Sequence, residues 1–192
     1  MDLKAALLRE RLTLYVRLRG GYTFPLAGAI WWAAIAVLGY FVPIKSWALL
    51  TFIASGLIFP IALVLSRLLG VNFMGEKSAV DDAIGPAFIG MLLFWPMAFA
   101  AYWTAIELTP LILAIGMAMH WPIIGWTYGR PGLYSAHAIV RTLAAFAIWL
   151  LFPDQRTTWL PASVSIVYLL TVVAILADSK RLAATIRTAV QV

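Results

Sequence analysis

Six long apolar runs, at about 22–42, 46–69, 83–106, 108–128, 133–152 and 159–177, leave this chain few architectures. A helix crossing ~30 Å of hydrocarbon needs ~20 residues, and each run supplies about that length. Hydrocarbon offers no partner to a backbone N–H or C=O, so a spanning segment must be a helix or part of a closed barrel. The runs are too long for barrel strands and lack their alternation. The sequence therefore predicts an all-α fold, a polytopic membrane bundle of six transmembrane helices over 21–179.

Composition supports lipid as the solvent. Of the 192 residues, 64% are hydrophobic and 11% charged, where a soluble domain carries about 25% charged residues. Nine Trp and seven Tyr suit the headgroup level, where amphipathic rings collect. The net charge is +6, but its basic residues flank apolar runs. That pattern points to topology and lipid contact, not to a nucleic acid partner. There is no cysteine, which excludes disulfides, thiol catalysis and cysteine metal sites.

Residues 1–20 read as a basic amphipathic interfacial helix. Leu3, Leu7, Leu14 and Leu18 recur at helical spacing among Lys4, Arg9, Arg11, Arg17 and Arg19. Anionic lipids at the cytoplasmic face are the expected partner. A signal peptide is not expected, because Arg9, Glu10 and Arg11 break the apolar stretch. The connections are short, so consecutive helices should pack as antiparallel neighbours. Residues 180–192 form a basic cytoplasmic tail.

Lys and Arg set the orientation. One side collects Lys4, Arg9, Arg11, Arg17, Arg19, Arg67, Lys77, Arg130, Lys180, Arg181 and Arg187; the other has Lys45 and Arg156. The positive-inside rule then places both termini in the cytoplasm, in a cell (inner) membrane.

Candidate chemistry concentrates in His120–Arg141. Both histidines, His120 and His137, lie there, with the single arginine inside an apolar run, Arg141. With Arg130-Pro131 as the apex of a helical hairpin, His120 and Arg141 each lie ~15 Å along their helices from it. They should be level near mid-membrane, with His137 on the same face as Arg141. An arginine at that depth costs ~2.5–3.5 kcal/mol on insertion scales and has to face the interior or a cavity. No acid is expected at its level; Asp82 or Asp178 could meet it only by snorkelling. Arg141, His120, His137, Trp121 and Tyr128 are the candidate ligand-binding residues.

Pro60, Pro96 and Pro122 lie well inside runs. Each removes an N–H and clashes with the carbonyl four residues earlier, at Gly56, Leu92 and Ala118. Kinks are expected at all three, with Ala118 as a freed carbonyl beside the histidines. Ser163, Ser165, Tyr168 and Thr171 of the last run should hydrogen-bond between helices.

No HExxH, acidic cluster or phosphate-binding glycine loop occurs, so no metal site, cofactor or catalytic residue is expected. Two histidines are too few to specify haem. The stretches GYTFPLAGAIWW, LIFPIALVLSRLLG, LLFWPMAFAAYW and the His120-Trp121-Pro122 run before a Tyr-Gly turn resemble a family of small bacterial multi-span membrane proteins of unknown function. The similarity covers roughly residues 20–140, and the resemblance implies a membrane fold without assigning an activity.

The leading expectation is binding or passage of a small polar or anionic solute near His120, His137 and Arg141. The rival is a non-transporting accessory or lipid-interacting protein with Arg141 as a structural pin. An intramembrane enzyme comes third, since no nucleophile–base pair is legible. A homo-oligomer stays open.

Overall fold

The computed structural model describes residues 2–73, 75, 76 and 78–190. Lys77, counted above among the cytoplasmic cations, and residues 191 and 192 of the tail lie outside the described residues. The described chain is all-helical. Six segments are long and apolar enough to cross a membrane: Arg19–Leu38, Ile44–Leu68, Asp81–Thr104, Ile106–Thr127, Pro131–Leu151 and Trp159–Thr188.

Proline divides three of these spans. The first is essentially one helix, α2 (Thr23–Leu38), after the short N-terminal α1 (Leu3–Arg17). The second is α3 (Ile44–Ala54) and α4 (Ile58–Leu68), joined by a 3-10 turn at Ser55–Leu57 just before Pro60. The third is α5 (Ile84–Leu92) and α6 (Trp95–Thr104), with Pro96 in the first turn of α6. The fourth is α7 (Thr109–Gly116) and α8 (Trp121–Thr127), with four turn residues between them and Pro122 in the first turn of α8. A proline cannot continue the ladder, and its ring excludes the carbonyl one turn back, so the chain tightens or restarts there. The fifth and sixth spans are α9 (Pro131–Leu151) and α10 (Trp159–Val190), both unbroken. At Pro122 the expected freed carbonyl is not free: Ala118 O accepts the Trp121 N–H at 3.1 Å. The tight turn supplies its own partner, which corrects the expectation of a carbonyl open to a ligand.

The spans pack around a ring in chain order. Helix α2 packs against α10 and α4, α9 against α8, α7 and α10, and α6 against α7. Short connections make this the default, since neighbours in sequence become neighbours in space. On the side of the bundle away from α1, Phe52 of α3 meets Trp95, Phe99 and Tyr102 at ring distances of 5.5, 5.3 and 5.7 Å. Nearer α1 the ring is open, because α4 and α5 scarcely touch. These two spans are peripheral: 17% of the apolar window is buried in each, against 61% in the first.

Helix α1 docks on one end of the bundle by its second half. Leu14 and Tyr15 are buried, while Leu3, Leu7 and Leu8 face outward. The Tyr15 hydroxyl donates to Ile175 O at 3.3 Å. Arg11 donates to Trp126 O and lies 4.4 Å over the Trp126 ring. The chain turns from α1 into α2 through Arg19, Gly20 and Gly21, all at positive φ. A Cβ on Gly20 would lie 2.3 Å from Ile175 Cγ2. Since α1 touches α10 beyond its membrane window's midpoint, both terminal helices meet at the same end of the bundle. Arg130 and Asp178 form an ion pair at that end, at 2.6 Å.

Candidate functional site

One stripe of α9, Tyr134, His137, Arg141 and Ala145, is buried at spacings of three and four, the signature of an inward helix face. Arg141 is 0% exposed. Its Nη1 donates to Tyr168 Oη at 2.7 Å. The guanidinium lies 5.2 Å from the Trp32 ring and 5.0 Å from the Tyr168 ring, within cation–π range of both. Among the described residues no acid pairs with it; Asp178 is taken by Arg130 and Glu107 by Arg156. Its Nε and Nη2 have no hydrogen-bond partner. A closely packed glycine makes room for the Tyr168 phenol: ring carbons lie 2.9–3.1 Å from where a Cβ on Gly28 would stand.

His137 sits one turn away. Thr171 gives its proton to Val167 O at 2.7 Å, so it can only accept from His137 Nδ1, 2.8 Å away. That places a proton on Nδ1. Nε2 is buried and without a partner. Trp121 stands between the histidines, its ring 5.0 Å from His137 and 4.9 Å from His120. His120 stacks on Phe88 at 4.9 Å. Its Nδ1 is occluded and unpartnered, so by elimination Nε2 is the ring nitrogen open to contact.

Seven buried side-chain polar atoms lack a partner among the described residues, and six belong to this cluster: Trp32 Nε1, His120 Nδ1, Trp121 Nε1, His137 Nε2, Arg141 Nε and Arg141 Nη2. Most buried polar groups in proteins are satisfied. A concentration of this kind, most of it donors around one cation, marks the place where the fold gives up stability.

A cavity of about 410 Å³ borders the cluster. Its wall includes Phe24 of α2, Gly56 and Phe59 of the second span, Phe88 and Met91 of α5, and His120, Trp121, Tyr128, Tyr134 and Tyr168. The lining is mostly apolar. It reaches from Gly20 and Gly21 at the α1 end to Gly56 at the middle of the second span.

Three of the five sequence candidates, His120, Trp121 and Tyr128, line this cavity. His137 and Arg141 stand behind its wall, in contact with Trp121 and Tyr168 respectively. Tyr128 joins this cluster only through Tyr134, whose ring lies 5.8 Å from both Tyr128 and Trp121, and it also meets Tyr15 at 5.9 Å. Sequence reasoning missed Trp32 and the central part of Tyr168. Tyr168 was legible as an interhelical hydrogen bonder, and so were Thr171 and Ser165, which donates to Ala29 O at 2.8 Å. Ser163 instead bonds within its own helix, to Leu160 O. Its position near the start of α10 gives it a carbonyl closer than any neighbouring helix.

No curated protein and no solved structure matches the chain. Residues 7–178 match a family of unknown function, DUF7010, a span reaching from α1 to the end of the arginine-bearing core and past the 20–140 stretch where the resemblance was legible. The chain belongs to that family.

Proposed function

We propose that this membrane-spanning protein binds a small solute with an anionic head in the cavity beside His120, Trp121 and Tyr168. The observation that carries this reading is the charge of Arg141. It is buried with no acid paired to it among the described residues, and its one hydrogen-bond partner, Tyr168, is part of the cavity wall. In a medium of low dielectric an uncompensated cation attracts an anion strongly over several ångströms. His120 would offer the local contact through Nε2. The reading is binding, since the lining runs from the α1 end only to about mid-span and marks no continuous path. Catalysis is not favoured: Ser55, the serine of the wall, bonds back to Phe52 O at 2.8 Å. The reading includes an inner-membrane location, cytoplasmic termini and contact of α1 with anionic lipids.

One observation favours the rival, a structural pin: Arg141 is fully occluded and packed between Trp32 and Tyr168. The two separate on Arg141→Met in nanodiscs. If Arg141 serves a ligand, benzoate and hexanoate raise the unfolding midpoint of the wild type, as any ligand of the folded state must. They leave Arg141→Met and His120→Phe unmoved, and benzamide does nothing to any of them. If no carboxylate or phosphate shifts the wild type, while Arg141→Met loosens the fold, the pin reading stands in its place.

A further inference from the structure

The exposed part of the cavity wall lies on the second span. Gly56 and Phe59 form part of that wall and are themselves exposed. Gly56 is twelve residues from either end of the span Ile44–Leu68, which is ~18 Å along a helix in each direction. The opening therefore sits near the middle of the hydrocarbon. Nothing lies within 4 Å of where a Cβ on Gly56 would stand. The gap follows from the backbone: the break before Pro60 divides one flanking span, and α4 and α5 diverge beyond the Phe52 cluster. The aqueous end is closed by side chains. Phe73 of the 70–82 connection lies 4.5 Å from Phe24, and the Tyr128 hydroxyl is pressed against Gly21.

Resting on the anion-binding reading above, we propose that the occupant is a single-chain carboxylate amphiphile that enters sideways from the bilayer between α4 and α5. Its head lies against His120 and Tyr168, near the Arg141 charge, and its chain runs out past Phe88, Met91 and Gly56 into the membrane. The two ends of the cavity carry opposite chemistry. Its deep wall is backed by the unpaired donors and the cation, and its mouth is apolar at a depth where water is absent. A strongly hydrated anion that cannot shed its charge would have no aqueous route to that mouth, whereas a carboxylic acid can cross hydrocarbon in its neutral form and ionise at the head site. A two-chain phospholipid would have to draw a large headgroup to mid-membrane. A fatty carboxylate has a compact head, and the mouth lets its tail stay in hydrocarbon.

The test uses the full chain in nanodiscs with palmitate bearing a mid-chain diazirine, labelled by light and mapped by mass spectrometry. Label is expected on Phe88, Met91 and the Gly56–Phe59 segment. It should fall about ten-fold in Gly56→Trp, which blocks the mouth, and by a similar factor in Arg141→Met, the equivalent of one lost charge-assisted contact. Met91→Trp, at the same depth on α5, narrows the same mouth and serves where Gly56→Trp yields no monodisperse protein. Label confined to outward residues such as Leu68 and Ile89, and unchanged in the blocked variants, overturns lateral entry. Benzoate stabilisation that persists in that case leaves the anion site standing. Cavity label that is equal for palmitamide and indifferent to Arg141→Met overturns the head assignment and the anion reading together.

Discussion

Arg141 presents an energetic puzzle that a pair of substitutions resolves. Its guanidinium makes one hydrogen bond and two ring contacts, while Nε and Nη2 go without. Replacing a poorly satisfied buried ion by an apolar side chain of similar length is often neutral or stabilising. Removing its one partner instead strands the charge. Arg141→Met should therefore unfold no earlier than wild type, whereas Tyr168→Phe should lose about 1–3 kcal/mol. Chemical denaturation in one detergent reads both, and the opposite order would mean that the arginine holds the fold. How much of this was legible is uneven. The depth of Arg141 followed from counting residues along a hairpin, and the absence of an acid from the position of each carboxylate. Its actual partner did not follow. Which side chains of α10 face Arg141 depends on the rotation of α10, which a helix that is apolar almost all round does not reveal.

At the level of elements, the prolines and the glycine turn shape the site more than the polar residues do. Pro60, Pro96 and Pro122 were readable, because ring sterics are local. The consequence of Pro122 was not: the turn at 117–120 satisfies Ala118 O from the Trp121 N–H and sets His120 and Trp121 on the cavity wall. The interfacial character of α1 was only half informative. Leu3 and Leu7 face outward as such a helix requires, while Leu14 and Leu18 belong to the core. The Arg19–Gly21 turn permits that docking, since three successive residues take positive φ. Gly20→Ala adds strain of about 1–3 kcal/mol, and its Cβ would press on Ile175 and Tyr15. The expected result is a lower unfolding midpoint and faster proteolysis at Arg9 and Arg11 as α1 lifts. Wild-type proteolysis in that variant would mean that α1 is held by its Arg11 and Tyr15 contacts alone.

The whole molecule was legible as six spans because length and apolarity are sums over many residues, robust to any single error. Its lateral opening was not, since the closure of a ring of helices depends on packing between spans distant in sequence. Orientation remains a matter of charge, and it can be measured directly. The end of the bundle that carries α1 also carries Arg67, Arg130 and the basic stretch Lys180–Arg187, while Lys45 and Arg156 lie at the other. Translocating the basic end would mean moving most of the chain's cations across the membrane, which the positive-inside rule disfavours. The chain has no cysteine, so single reporters need no background removal. Tyr40→Cys, at an exposed position between α2 and α3, should react with a membrane-impermeant maleimide in intact cells. Ala184→Cys, exposed on the far end of α10, should react only after permeabilisation. The reverse pattern would turn the bundle over. The Asp178–Arg130 end and the α1 dock would then face outward, and the anionic inner leaflet could no longer be what the N-terminal cations meet.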